Sequence, residues 1–148
     1  MKTDLKRAYY RRLLPALVAI AAAAAVRGLD AAADLPPVAA KVTGAVLFVG
    51  AVIAAVGLPI WIRTVFANRV RMQRDVDEVA FKKFQLRLIT AALIAPYLAA
   101  GALAIRLDAF YQGGAVLAAL YGIYYHFPSQ RRIDFDRRLF RVRPSEAC

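Results

Sequence analysis

Of 148 residues only one is cysteine, one histidine and one tryptophan. The cysteine, Cys148, is the last residue and has no partner for an internal disulfide, so it says nothing about redox compartment. One Cys and one His cannot supply a zinc, iron–sulfur or bis-histidine haem site within a single chain. Enzyme signatures are missing as well. No Gly-rich phosphate loop, no HExxH and no nucleophile elbow occurs, and Ser129 and Ser145 lie in a polar tail with no base placed beside them. Acidic residues are scarce, 10 against 21 basic ones, and neither sign is found deep inside the long apolar runs. That gap argues against exporters that depend on an intramembrane acid. No catalytic residue, metal ligand or cofactor is therefore assigned, and the chain is expected not to be an enzyme.

What the sequence does hold is apolar residues, 61% of the chain, gathered in blocks with the charges between them. A soluble domain would carry roughly half, dispersed in short periodic pieces. Three blocks approach the roughly 20 residues that a bilayer core demands: residues 42–62, 86–105 and 109–127. A fourth, "LLPALVAIAAAAAV", is shorter. It becomes a span over residues 9–26 if Tyr9 and Tyr10 sit at the interface and Arg11 and Arg12 snorkel to the headgroups. Alanine is marginally apolar, so this helix needs neighbours to be stable in lipid. A rival reading takes the basic start and short apolar core as a secretory signal peptide, cut within "AAAAA" or "LDAAAD". Backbone groups in hydrocarbon find no water, so the spans must be helices. The expected fold is all-α: a bundle of four transmembrane helices over residues 1–127, followed by a basic tail over residues 128–148.

Charge sets the expected orientation. Eighteen Lys and Arg fall in the N-terminal segment up to Arg12, in the segment Arg63–Arg87 that joins the second and third spans, and in the tail; the other two loops hold Arg27, Lys41 and Arg106. By the positive-inside rule both termini are cytoplasmic. Heavy use of Arg and Ala points to a GC-rich bacterium and so to the bacterial inner membrane. Between the second and third spans, residues 63–85 are expected to form a helical hairpin that projects from the membrane and turns near Gln73–Asp75. "DVDE" has a capping-box pattern, which starts a helix near Val76 and carries it unbroken into the third span. Val76, Val79, Ala80 and Phe84 would share its apolar face. This hairpin is expected to solvate its charges, with a docking surface as the alternative. Pro15, Pro59 and Pro96 read as ordinary kinks, with broken transporter-type helices as the rival.

The remaining signals concern contacts. Small residues recur every four positions: Gly50 and Ala54; Ala91, Ala95 and Ala99; Gly114, Ala118 and Gly122. They let helices approach closely where lipid removes the hydrophobic drive, and packing within the chain is expected ahead of packing between chains. Tyr9, Tyr10, Trp61, Tyr121, Tyr124 and Tyr125 are expected as interface anchors. His126, after the tyrosine stripe and before Pro128, is a weak candidate for an axial ligand or proton relay; an interfacial position explains it as well. The tail "RRIDFDRRLFRVRP" alternates with period two, which suggests short strands turning around Asp136–Arg138, a bent amphipathic helix being the alternative. Arg131, Arg132, Arg137, Arg138, Arg141 and Arg143 are expected to meet anionic lipid headgroups, each gaining about 1 kcal/mol, or a partner protein. The positive-inside bias already accounts for the charge, so nucleic acid is not expected.

Together these features point to a non-catalytic membrane protein that acts through other membrane subunits or itself, as an accessory subunit or assembly factor. The alternative is a small oligomeric transporter or channel with a neutral path along Thr90, Tyr97 and Gln112. A redox subunit using His126 ranks last. Partner, ligand, oligomeric state and retention of the first span are not legible.

Overall fold

A computed structural model describes residues 2–72 and 75–142. Among these the regular structure is entirely helical: α1 Lys2–Gly28, α2 Pro37–Val52, α3 Leu58–Val70, α4 Glu78–Ala92, α5 Ile94–Ala104, α6 Ala109–Tyr125 and α7 Gln130–Leu139. A single π turn, Ile53–Gly57, joins α2 to α3, so the two make one continuous rod. Three helical stretches are long and apolar enough to cross a membrane: Thr3–Gly28, Pro37–Val70 and Glu78–Ala104. The fourth expected span, α6, has 17 residues and is about 25 Å long.

Two prolines explain the irregularities. Pro59 has no N–H to offer the carbonyl of Ala55, and the helix widens just before it; Leu58 N–H reaches back five residues to Ile53 O. Pro96 likewise cannot serve Ala92, and Leu93 leaves helical geometry at φ −76°, ψ 2°. Helical geometry therefore lapses at Leu93, inside the third span and downstream of the unbroken run from Glu78 into that span.

α5 is the centre of the bundle, packed on α1, α2 and α6. A helix enclosed on three sides needs small side chains, and Ala95, Ala99, Ala100 and Ala102 are all buried. Ala95, Ala99 and Ala102 meet Ala51, Ala54 and Ala55 from the α2 rod and Ala115 and Ala119 from α6. At the basic end the core changes character. Leu5, Tyr9 and Leu13 of α1, Phe81, Phe84 and Leu88 of α4, and Ile133 and Phe140 of the tail form a second cluster of large side chains. Phe66 and Phe84 stack with centroids 4.1 Å apart, and Phe140 meets both edge-on. Close backbone approach is what supplies attraction between helices in lipid, so the alanine-rich cluster has the make-up of a membrane-compatible interior.

Three expectations at this end are corrected. Among the described residues, up to 142, the tail does not form strands or a hairpin. Ser129 caps a helix by accepting from Arg132 N–H, and the ten residues of α7 put Ile133, Asp136 and Phe140 inward at spacings of three and four. The period-two pattern was a short sample of a 3.6-residue repeat. Second, α4 starts at Glu78, with Asp77 at the N-cap, and Val76 pairs with Val142 in an isolated parallel bridge. Third, the later start rotates the buried face to Phe81, Phe84, Gln85 and Leu88, leaving Val79 and Ala80 outside. The expected turn near Gln73–Asp75 lies partly outside the described residues.

At the opposite end the loops are tied together. Ala33 and Ile105 form a bridge, and Arg106 reaches both Asp30 and Asp34.

Candidate functional site

The most constructed polar feature is at the basic end and is centred on Asp136, only 2% exposed. Its Oδ1 accepts from Arg63 Nη2 at 2.9 Å and its Oδ2 from Gln85 Nε2 at 2.9 Å. One carboxylate thus joins α7 to α3 and α4, with both oxygens satisfied. Arg63 also leans over the Phe140 ring at 6.0 Å, and Arg137 pairs with Glu78 at 3.6 Å. Asp4 and Lys82, 2.8 Å apart, add a tie from α1 to α4. Gln85 and Asp136 were not singled out from sequence. Their signal was available only in hindsight: one polar residue on the otherwise apolar inward face of each of two amphipathic helices.

Beside this node the tyrosine stripe takes its place. Tyr121 and Tyr125 stack at 5.0 Å, and the Arg132 guanidinium caps Tyr125 at 4.0 Å. His126 is buried behind them as the C-cap of α6, with Nδ1 3.3 Å from Gly122 O and its ring edge-on to Tyr125. His126, Arg63, Arg132 and Tyr121 help line a cavity of about 100 Å³. That is room for a few waters or a small ion, and well below the roughly 300 Å³ at which organic-ligand pockets begin. A haem does not fit there. Among the described residues no group of three His, Cys, Asp or Glu is placed to hold a metal.

The other predicted residues separate into distinct roles. Tyr9 is a correction: it is 1% exposed, packs edge-on against Phe127 and donates to Ile123 O at 2.8 Å. Phe127 N–H bonds Tyr124 O instead, so Tyr9 satisfies a carbonyl left over at the end of α6. Tyr10, Trp61, Tyr121, Tyr124 and Tyr125 are exposed on the outside, Tyr124 at 87%. Of the small residues, Ala54, Ala91, Ala95 and Ala99 are buried. A Cβ on Gly114 would lie 2.5 Å from Phe48, one on Gly122 3.0 Å from Ala92 O, and one on Gly50 3.4 Å from Leu98. Ala118 sits at the margin of the same cluster, and Ala51, Ala55, Ala102, Ala115 and Ala119, not singled out from sequence, carry much of it.

Thr90, Tyr97 and Gln112 do not share a site. Thr90 bonds back to Leu86 O at 2.7 Å on an exposed face. Tyr97 OH lies 3.4 Å from Arg12 O. Gln112 is buried at the other end of the bundle, where its amide donates to Ala102 O and Ile105 O, each at 3.1 Å, and closes the C-terminus of α5. Among the tail arginines, Arg132 and Arg137 are held by the chain, Arg131, Arg138 and Arg141 are exposed, and Arg143 lies outside the described residues.

Searches against family models, curated proteins and solved structures give no match to this chain.

Proposed function

We propose that this chain is a non-catalytic integral membrane protein of the bacterial inner membrane, an accessory subunit or assembly factor that works through other membrane subunits. Four spans and two cytoplasmic termini belong to this reading. α6 is at the short end of the range for a span, but the four-residue connection from α5 and its packing on both α5 and the α2 rod hold it at their depth. Burial of Leu5, Tyr9, Leu13 and Ala16 of α1 supports a retained first span.

The observation that carries the reading is how the basic end is built. A buried Asp136 node and a cluster of phenylalanines fasten α7 across the α3–α4 hairpin. The same helix turns Phe135 and Leu139 outward, with Arg131 and Arg138 exposed as well. Large exposed apolar groups on a rigid element are more useful to a partner than to solvent. Thr90, Tyr97 and Gln112, by contrast, bond the chain's own backbone, which supports a role other than transport.

Native mass spectrometry of protein gently extracted from its own membranes tests this. Stoichiometric foreign subunits are expected, and they should be lost from a Phe135→Glu, Leu139→Glu double variant that still folds. The intact chain mass reads retention of α1 in the same spectrum. A homo-oligomer alone would favour the second reading, a small oligomeric transporter or channel. One feature favours it: an apolar groove of about 610 Å³ between α2 and α6, floored by Gly113 and Gly114 and walled by Phe48 and Leu117.

A further inference from the structure

We infer that the open face of the α3–α4 hairpin is a binding site for one anionic phospholipid of the surrounding leaflet. α7 covers one side of this hairpin. The other side is a groove of about 570 Å³ between the two helices. Its floor is Val65, Phe66 and Phe84, and its rim carries Arg69, Lys83 and Arg87. No carboxylate lines it, although the hairpin and its flanks hold several.

The placement of the cations selects the occupant. Phe66 stacked on Phe84 fixes the register of the two antiparallel helices. Arg87 is one turn further along α4 and so comes level with Ile62 and Trp61, at the end of the apolar run. Lys83 is level with Phe66, and Arg69 is one turn beyond. The three positive charges make a ladder of roughly 10 Å leading away from the membrane-spanning part. Trp61, 65% exposed, stands at its foot, where interfacial indoles collect. A phosphodiester entering beside Arg87 would leave its acyl chains against Trp61 and the lipid-facing side of α2–α3, with the rest of its headgroup under Lys83 and Arg69. A groove that opens onto the bilayer at one end and is wholly cationic at the other matches an amphiphile with an anionic head. An acidic peptide would match the rim and leave the open foot unfilled.

This site rests on the membrane-spanning reading and is independent of whether the chain has protein partners. Trp61 is the only tryptophan, so all indole fluorescence reports on the groove. The test reconstitutes the full chain into vesicles of mixed phosphatidylglycerol and phosphatidylcholine. Acyl chains of one lipid class at a time are dibrominated near the ester, at equal mole fraction. Brominated phosphatidylglycerol is expected to quench Trp61 more strongly than brominated phosphatidylcholine. Lys83→Gln and Arg87→Gln should each reduce that preference roughly threefold to fivefold, the effect of one basic group at an anionic surface. Arg138→Gln, outside the groove, should leave it unchanged, and Arg87→Lys should restore part of it. Equal quenching by both lipids in the parent protein overturns the site. So does quenching by neither, which would mean that protein covers the groove. Failure of the chain to float with the vesicles would instead refute the membrane-spanning reading itself.

Discussion

At the residue scale the basic end turns on Asp136. A carboxylate taken out of water is costly unless each oxygen is paired, and here each has one donor. Removing it leaves Gln85 buried and unpartnered and Arg63 without its counter-charge. Asp136→Ala should lower stability by about 3 kcal/mol, and Asp136→Asn by less, measured by thermal unfolding in detergent. Proteolysis in the α7 segment should accelerate in parallel. An Asp136→Ala variant with unchanged melting would show that α7 is held by its apolar face alone. A second residue-scale feature is Arg141, whose φ of 51° places it in the left-handed region. It ends α7 in a Schellman arrangement: Val142 N–H bonds Arg137 O at 3.0 Å and Arg141 N–H bonds Arg138 O at 3.3 Å. Asp30 does the same for α1, with φ 59°. Arg141→Gly should therefore be neutral or slightly stabilising, while Arg141→Val should cost about 1–2 kcal/mol, because a β-branched residue resists this conformation. Equal melting temperatures for the two variants would contradict that account.

At the element scale helix approach decides the bundle. Pro96 leaves the carbonyl of Ala92 without its usual helical donor, and Gly122 of α6 lies directly against that carbonyl. The contact is to backbone, so it cannot rotate away as a ring can. Gly122→Leu should destabilise the bundle by about 1–3 kcal/mol. Gly113→Leu, where an added Cβ meets nothing within 4 Å, should cost far less. The pair is compared by melting in the same detergent, and equal losses would argue against close α4–α6 packing as the cause. The small residues at spacings of four were visible in the sequence and face neighbouring helices, but the alanines between them, Ala51, Ala55, Ala102, Ala115 and Ala119, were not singled out. Helix rotation depends on where the preceding break falls, and the π turn before Pro59 and the break before Pro96 reset it.

At the scale of the whole molecule the open question is orientation. Cys148 is the sole cysteine and a ready label. With both termini cytoplasmic, a membrane-impermeant maleimide should leave intact cells unlabelled and label inverted membrane vesicles. Labelling of intact cells would overturn the proposed topology. The expectation rests on the charge distribution: three basic residues fall at one end, and Arg106 there is paired with Asp30 and Asp34.

The sequence by itself determined the helical class, the apolar rods and the segregation of charge. Each follows from a local rule: lipid admits only backbones that bond internally, and long apolar runs announce themselves by composition. It also placed Pro128 just past the end of α6. Only the tertiary structure decided which side of each helix is inside. Tyr9 was legible as an interfacial aromatic because its distance to Ile123 O, 114 residues away, is not written in its neighbours. Asp136 looked like one charge among many, since its two donors come from helices 73 and 51 residues distant. The ten residues of α7 are too few to separate a period of two from one of 3.6. The Ser129 cap and a waiting apolar groove between α3, α4 and α1 settled it as helix.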